Sequence, residues 1–374
     1  MITVHVGVLA AVFAIAVVMG AVTHKTNFCA MGAVSDWVNI GDTGRMRAWV
    51  FAMAVALAGV VALEAASAIN LSQPTFPPYR TANFGWLRYL LGGFMFGVGM
   101  TLASGCGNRT LVRIGGGNLK SLVVALVFAA SAYLMLWTPL FEKAFQPWVA
   151  ATTINLQSYG VANQELGTVL SGMFGMPLSK PFNLLVAAAV AAGMIWWVFR
   201  SADFRREPGH ILGGAVVGFA VIAGWWITGG ALGREWKEYV ELATVVPSRV
   251  QTQSFTFVAP MGDTLRYALD PLNLSLINFG VMALTGVTVG SLLHAGFNRE
   301  FRIEWFAGWE DFFNHVAGGA LMGIGGVLAM GCTFGQAISG MSTLAIGSIL
   351  TFLAIVIGAA GTMRYQYWRI SREA

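Results

Sequence analysis

The sequence contains nine stretches of mainly apolar residues, each long enough to cross the hydrocarbon core of a bilayer as a helix. They are predicted at Val4–Val22, Met46–Ile69, Trp86–Ala103, Ser121–Leu140, Pro181–Phe199, His210–Ile227, Pro271–His294, His315–Met330 and Ser342–Met363. Only 10% of the 374 residues are charged and 56% are hydrophobic, whereas a soluble chain is about 25% charged. This composition excludes a soluble enzyme, a nucleic-acid-binding domain and a disordered scaffold, because a soluble fold would expose large apolar patches. We therefore predict an all-α polytopic membrane protein with about nine transmembrane helices.

Basic residues in the connections predict the direction of the spans, because cytoplasmic loops carry an excess of Lys and Arg. An N-terminus outside the cell places these residues in the cytoplasm: Lys25, Arg45, Arg47, Arg109, Arg113, Arg200, Arg205, Arg206, Arg299, Arg302, Arg364, Arg369 and Arg372. The C-terminus is then cytoplasmic, and two long connections, about 141–180 and 228–270, lie outside. Within the second, residues 251–258 alternate polar and apolar side chains, and we interpret them as a solvated hairpin. Glu64, near the outer end of the second span, is expected to snorkel to the membrane interface.

Residues 92–106 align without a gap on residues 318–332, with eight of fifteen positions identical. Each copy ends at a cysteine, Cys106 in the first and Cys332 in the second. Because the predicted orientation makes the two copies antiparallel, they form an inverted-topology pseudo-repeat, in which a substrate site is expected near the membrane midplane. The chain is then one transport domain, residues 1–374, with pseudo-repeats over about 1–200 and 205–374.

A segment too short to cross the membrane follows each of these two cysteines, at residues 107–117 and 333–341. Such a segment after a complete span is typical of a re-entrant half-helix. Non-helical backbone at membrane depth is tolerated where it is buried in protein or lines a cavity, so the turns around Cys106 and Cys332 are expected to face a pathway. Cys29, the third cysteine, is likewise followed by a short segment before the next span.

Three cysteines without a C-x-x-C pair give little support to a membrane thiol oxidoreductase. The histidines show no ligand spacing, so neither a metal site nor another cofactor is predicted. A thiol is a soft, weak hydrogen-bond donor that suits a ligand presenting sulfur or selenium. The net charge of +5 agrees with an anionic substrate, although the positive-inside signal alone also accounts for the basic residues.

We predict a substrate pathway lined by Cys29, Cys106 and Cys332. The adjacent residues that are expected to support it are Gly105, Gly107, Asn108, Thr110, Gly331, Thr333 and Gln336. The four polar members of this set are candidates to hydrogen-bond an oxyanion, and helix capping is an equally good interpretation of them.

Three ordered motifs, at residues 27–36, 103–108 and 329–335, resemble the YeeE/YedE family of bacterial inner-membrane proteins. The resemblance covers most of the chain. It implies a thiosulfate importer with nine spans and short helices that dip in from both faces to form an hourglass. It also implies that Cys29, Cys106 and Cys332 pass thiosulfate along by S–H to sulfur hydrogen bonds, and that a TusA-like sulfur carrier protein works on the cytoplasmic side. Other members are associated with selenium metabolism.

The prediction is thus a transporter in the lipid bilayer that takes up thiosulfate, with Cys332 reached first from outside, and not an enzyme. Nucleic acid is not expected as a partner. Three alternatives remain open from the residues: a permease or channel for another sulfur or selenium compound, a membrane thiol-dependent sulfurtransferase, and a non-transporting membrane partner that docks a sulfur carrier.

Overall fold

Nine long helices form the body of the protein in the computed structural model, which describes residues 2–72, 74–243 and 246–373. Within these residues, nine helical segments are long and apolar enough to cross a membrane. The long helices are α1 (Ile2–Lys25), α3 (Gly44–Ala65), α4 (Trp86–Leu102), α6 (Leu119–Trp137), α9 (Lys180–Phe199), α11 (Pro208–Gly229), α14 (Phe279–Phe297), α15 (Trp309–Leu328) and α16 (Ile346–Glu373). The predicted all-α polytopic class is confirmed.

Short elements fill the connections between the long helices. The short α-helices are α2 (Ala30–Ile40), α5 (Gly107–Gly115), α7 (Gln146–Ala151), α8 (Leu166–Met173), α10 (Ala202–Arg206), α12 (Ala231–Leu242) and α13 (Val258–Leu269). Turns of π or 3-10 type cover Phe141–Phe145, Leu156–Tyr159, Leu274–Leu276, Thr333–Gly340 and Met341–Thr343. The strands are β1 (Thr75–Phe76), β2 (Asn83–Phe84), β3 (Ile154–Asn155) and β4 (Thr252–Gln253).

The connections gather at two opposite ends of the helix bundle. At one end, which we call the first face, β1 pairs in parallel with β4 and β2 pairs antiparallel with β3. At the other end, the second face, the Leu119 amide donates to the Glu304 carbonyl at 3.0 Å and the Arg302 amide donates to the Gly116 carbonyl at 2.9 Å. Helix α1 therefore begins at the first face, and α16 ends at the second.

Helices α4 and α15 pack antiparallel through glycines. A Cβ atom at Gly92 would lie 2.7 Å from the carbonyl oxygen of Gly325, and one at Gly99 would lie 2.7 Å from that of Gly318. The reciprocal contacts are as short, because a Cβ at Gly318 would lie 2.6 Å from the Gly99 oxygen. Small residues allow two helix backbones to approach this closely. The two aligned segments of the sequence therefore contact each other directly. Gly92, which aligns with Gly318, packs against Gly325, and Gly99, which aligns with Gly325, packs against Gly318.

The ends of three helices differ from the predicted spans. Helix α14 begins at Phe279 because the Asn278 side chain caps it, accepting from the Val281 amide at 3.0 Å. Helix α15 begins six residues before the predicted His315, with two acidic residues in its first turn that favour a helix N-terminus. Helix α16 continues beyond Met363, since a fall in hydropathy marks the end of an apolar span and not the end of a helix.

The prediction of a solvated hairpin at residues 251–258 is wrong. Residues 252–258 are buried, and apart from the Thr256 hydroxyl their polar side chains have partners inside the protein. The Thr228 hydroxyl donates to the Gln253 carbonyl at 2.6 Å, and the Ser254 hydroxyl donates to the Val221 carbonyl at 2.8 Å. The segment alternates because Phe255 and Phe257 pack in the core while the hydroxyls of Thr252 and Ser254 bond to α11.

Glu64 is buried and does not snorkel. Arg80 donates to both of its carboxylate oxygens, at 2.8 and 3.0 Å, and lies 3.2 Å from the carboxylate of Glu165. Burial raises the pKa of Glu165, and Arg80 opposes that shift. Together these residues line a polar cavity of about 520 Å³ at the first face. This buried ion network joins α3 to the connection before α8.

We expect Gly92→Ala to destabilise the protein, because the added Cβ would lie 2.5 Å from the backbone nitrogen of Ala329. Overpacking of this kind costs about 1–3 kcal/mol. Gly361→Ala is the control, since nothing lies within 4 Å of a Cβ there, and it should be neutral or slightly stabilising. Thermal unfolding in detergent measures both. Equal melting temperatures for the two variants would contradict the close packing of α4 on α15.

Candidate substrate pathway at three cysteines

Each cysteine caps the start of a short helix. Cys29 precedes α2, Cys106 precedes α5 and Cys332 precedes the Thr333–Gly340 helix, and all three have extended backbone conformations. The sulfur of Cys29 accepts the Gly32 amide at 3.4 Å, and the sulfur of Cys332 accepts the Gly335 amide at 3.4 Å. The sulfur atoms thus satisfy N–H groups that would otherwise be exposed at a helix start, and each accepting thiol keeps its S–H available as a donor.

The same backbone reversal precedes all three cysteines. Two residues before each of them, the chain enters the left-handed region, at Asn27, Ser104 and Met330 with φ of 50°, 56° and 56°. The next amide then bonds to the carbonyl five residues back, for example from Gly105 to Met100 at 2.9 Å. This is the Schellman pattern of helix C-termini. None of the left-handed residues is a glycine, and for such residues this conformation costs about 1–2 kcal/mol. The hydrogen bonds of the reversal offset this cost.

The cysteines lie close together inside the bundle. The side chains of Cys29 and Cys106 interact with each other, and the side chain of Cys106 also lies near that of Thr333 without forming a hydrogen bond to it. All three cysteines are buried. A continuous line therefore runs from Cys332 through the adjoining Thr333 to Cys106 and Cys29.

Aromatic rings surround this line of thiols. The ring of Phe334 packs edge-on against Phe257 at 5.2 Å and against Trp49 at 6.3 Å, measured between ring centroids. Trp49 in turn stacks on Phe28 at 4.8 Å. All four rings are buried. These rings therefore give the line of thiols an apolar side.

Cavities lie on both sides of the line. One of about 280 Å³ is lined by Met330 and Gly331, which directly precede Cys332, and by Arg88 and Thr256. On the second-face side, a cavity of about 730 Å³ includes Ser104. Both spaces therefore adjoin residues of the helix breaks.

The four polar residues predicted beside the cysteines fall into two pairs. The Thr110 hydroxyl donates to the Cys106 carbonyl at 3.1 Å, and Gln336 donates to the Ala329 carbonyl and accepts from the Ser348 hydroxyl, both at 2.6 Å. Thr110 and Gln336 therefore have structural partners. In contrast, Asn108 and Thr333 are buried and, within the described residues, their side-chain polar atoms have no hydrogen-bond partner.

The three predicted glycines stand next to the thiols where the space is small. A Cβ at Gly105 would lie 3.3 Å from the Arg109 side chain, one at Gly107 would lie 3.3 Å from the Phe128 ring, and one at Gly331 would lie 3.0 Å from the Gln336 side chain. Glycine at these three positions therefore allows close packing around the backbone reversals.

Sequence reasoning missed several residues of this region. Tyr79 donates from its hydroxyl to the Gly335 carbonyl at 2.6 Å and so supports the helix that follows Cys332. Burial raises the pKa of Tyr79 well above its ordinary value, which keeps the phenol neutral and donating. Trp49 lies in an apolar span, where a tryptophan gives no signal of a site. Its position beside Cys29 depends on how α3 packs.

The apolar helices define a multi-pass membrane protein. Residues 25–361 match the family model described as "Sulphur transport", and the chain belongs to this family, that of the YeeE/YedE proteins. It is 23% identical to the thiosulfate transporter TsuA of Escherichia coli (strain K12) over 369 residues, which are 95% of this chain and 94% of that protein. It is 24% identical to the thiosulfate transporter TsuA of Spirochaeta thermophila over 345 residues, 91% of this chain and 93% of that protein. The protein is thus a transporter and not an enzyme.

We expect Gln336→Met to lower the free energy of unfolding, because it leaves the Ala329 carbonyl and the Ser348 hydroxyl without their partner. Each unsatisfied buried group costs about 1–3 kcal/mol. The matched variant Thr333→Val removes a hydroxyl that has no partner and should leave stability unchanged or slightly raised. Thermal unfolding of both variants in detergent checks this. A larger fall in melting temperature for Thr333→Val than for Gln336→Met would contradict the assignment of structural partners to Gln336 and not to Thr333.

Proposed function

We propose that this protein takes up thiosulfate across the bacterial inner membrane along a path lined by Cys332, Cys106 and Cys29. The observation that carries the proposal is the line of buried thiols, each at a helix break, with cavities on both sides. The relatives named thiosulfate transporters, aligned over more than nine-tenths of the chain, support the choice of substrate.

In this proposal the first face is outside and the second face is cytoplasmic. The basic residues of the connections support this orientation, since Arg109 and Arg113 lie on α5 at the second face. The N-terminus is then outside the cell, the C-terminus is cytoplasmic, and the long connections 141–180 and 228–270 form outer caps.

We further propose that the two halves of the single domain, about 1–200 and 205–374, are inverted repeats. Support comes from the exchanged glycine contacts of α4 and α15. It also comes from the short helices: α2 packs on α3 and α16, whereas α13 packs on α14 and α6. In an inverted pair, α2 corresponds to α13 and both are re-entrant half-helices. The thiols then lie between the repeats, where such transporters bind substrate.

Thiosulfate passes by weak contacts made in series. Each thiol donates its S–H to the terminal sulfur of the ion while backbone N–H groups, such as those of Gly32 and Gly335, hold two of the cysteine sulfurs in place. Because a thiol is a weak donor and a polarizable partner, binding at each step is loose enough to allow release. The unpartnered side chains of Asn108 and Thr333 take the oxygen end of the ion.

Arg88 attracts the anion into the outer cavity. Its guanidinium donates to the Leu328 carbonyl at 2.7 Å and to the Val327 carbonyl at 3.2 Å, and no carboxylate of the described residues lies within ion-pair distance of it. A half-buried cation without a carboxylate partner favours a negatively charged ligand. On the cytoplasmic side, a TusA-like sulfur carrier would bind near the cavity that includes Ser104 and take up the released thiosulfate as a whole ion.

We expect Cys106→Ala and Cys332→Ala each to reduce thiosulfate uptake by about tenfold or more, which corresponds to the loss of one contact of about 1.4 kcal/mol or more. Growth of a dependent strain on thiosulfate as sole sulfur source, and uptake by liposomes that contain the purified protein, measure the effect.

Val124→Ala is the control, because it trims a buried apolar side chain on α6 that is not one of the residues of the proposed path. Growth on sulfate checks that the strains are otherwise healthy. Wild-type uptake by both cysteine variants at equal protein levels would refute the thiol pathway, and failure of the wild-type protein to move thiosulfate in liposomes would refute the transport function.

A further inference from the structure

The ion network of Glu64, Arg80 and Glu165 contains more carboxylates than cations. Both glutamates share the single guanidinium of Arg80, and the three side chains are 10%, 7% and 9% exposed, respectively. Lys180 lines the adjoining cavity, but it is exposed and, among the described residues, forms no ion pair. The buried network therefore carries one excess negative charge when both glutamates are ionised.

Glu165 is the more weakly paired of the two carboxylates. Arg80 donates to both oxygens of Glu64, at 2.8 and 3.0 Å, but lies 3.2 Å from Oε1 of Glu165. Oε2 of Glu165 accepts only from the neutral amide of Asn183, at 3.0 Å. A buried carboxylate whose charge is incompletely balanced favours the protonated form. An extra proton in this network therefore belongs on Glu165, at Oε2.

The side chain of Asn183 can serve either state of Glu165. It is 9% exposed, its Nδ2 donates to Glu165 and to the Thr168 hydroxyl at 2.9 Å, and its Oδ1 has no hydrogen-bond partner within the described residues. Half a turn of the amide exchanges the two atoms and places Oδ1 beside Oε2, where it would accept from a protonated carboxyl. The Thr168 hydroxyl can accept in one orientation and donate in the other. The orientation of the amide therefore depends on the proton at Glu165.

Water and protons can reach Glu165 from the first face. Glu165 and Asn183 both line the polar cavity of about 520 Å³, whose walls also include the exposed residues Asn70 and Lys180. A cavity of this size and polarity holds water. The carboxylate is therefore buried in the protein and still accessible to protons from one side.

The network lies at the outer end of the proposed path. Arg80 donates from Nε to the Thr343 carbonyl at 3.0 Å, and the Leu166 amide, next to Glu165, donates to the Leu344 carbonyl at 3.0 Å. These carbonyls follow the helical turns that begin after Cys332. In the sequence, Arg80 also comes two residues after the segment 76–78 that lines the cavity with Arg88. A charge on Glu165 therefore acts where an anion would enter.

We propose that Glu165 is a proton-binding site on the outer side of the protein, and that a proton bound there favours the uptake of thiosulfate. The proton comes from water in the cavity and bonds to Oε2, the new O–H donates to Oδ1 of the turned Asn183 amide, and Oε1 still accepts from Arg80. The network is then neutral and no longer repels a dianion at the entrance. The effect on uptake rests on the proposed transport of thiosulfate, whereas the binding of the proton does not.

Glu165→Gln tests the site, because its amide has the shape of the protonated carboxyl and carries no charge. We measure the initial uptake of thiosulfate by liposomes with the same pH on both sides. Wild-type uptake should rise about threefold from about pH 8 to about pH 5, just above the ordinary glutamate pKa of about 4.3, as one charge near a dianion is neutralised. Glu165→Gln should keep the high rate over the whole range.

Glu241→Gln is the matched control. It removes the same charge from an exposed position on α12, outside the ion network. Its uptake should keep the pH dependence of the wild-type protein.

Thermal unfolding in detergent without thiosulfate measures the binding of the proton itself. Burial raises the pKa of Glu165 in the folded protein, so the stability that the proton provides is present at low pH and is lost as the pH rises through the folded-state value. The melting temperature of the wild-type protein should therefore fall relative to that of Glu165→Gln from about pH 5 to about pH 8. The histidines are the same in both proteins, so the difference between them reports on Glu165.

Asn183→Asp is a second, independent variant. It places another carboxyl against Oε2 of Glu165, and two carboxyls in contact hold one proton between them to a higher pH. The pH dependence of uptake should therefore move to higher pH. Damage to the packing alone would lower uptake at every pH without moving this dependence.

The proton site is overturned if Glu165→Gln keeps the wild-type pH dependence of both uptake and melting temperature. If Glu165→Gln does not fold, the Asn183→Asp variant decides, and an unmoved pH dependence rejects the site. A difference in melting temperature together with pH-independent wild-type uptake would remove the link to transport. A wild-type protein that moves no thiosulfate would refute the proposed function, and the melting temperatures would still decide whether Glu165 binds a proton.

Discussion

A helix that ends inside a bilayer must satisfy its free backbone groups without water, and this requirement governs the centre of the molecule. The protein meets it three times with one local solution, in which a left-handed residue closes the preceding helix and a cysteine begins the next. At Cys29 and Cys332 the sulfur atom itself accepts a helix amide. The capping that stabilises the break therefore also fixes the direction of the thiol. The stability of the helix break and the position of the thiol group therefore depend on the same amide-to-sulfur hydrogen bond.

Close packing of glycines keeps the breaks in register with one another. The helices that lead into Cys106 and Cys332 cross through the carbonyls of Gly92, Gly99 and Gly318, so neither can shift along the other without a backbone clash. The ion network of Glu64, Arg80 and Glu165 ties the first-face connections to the same frame, and Arg80 also donates to the Thr343 carbonyl at 3.0 Å, just past the Thr333–Gly340 helix. A rigid frame of this kind can position weak donors accurately, which a series of loose contacts requires.

Hydropathy and the ordered cysteine motifs were sufficient to predict the class, the nine spans and the family. They were insufficient wherever a residue's role depends on tertiary partners. Residues 252–258 alternate like a surface strand, but they are buried against α11, which supplies a hydrogen-bond donor at Thr228 and an acceptor at Val221. Thr110 and Thr333 stand at similar distances from a cysteine, and only the structure shows that one hydroxyl is bonded and the other is not. Trp49 is indistinguishable from any interfacial or core tryptophan until α3 is packed beside Cys29.

The rings of Trp49, Phe257 and Phe334 enclose the buried thiols in an apolar collar. Narrow apolar constrictions expel water, and a single file of water is the route by which protons cross a membrane protein most easily. On the proposed path, this collar would therefore interrupt proton leakage at the level of the cysteines. A cell can keep many copies of such a protein in an energised membrane without dissipating the electrochemical gradient that drives its other transport.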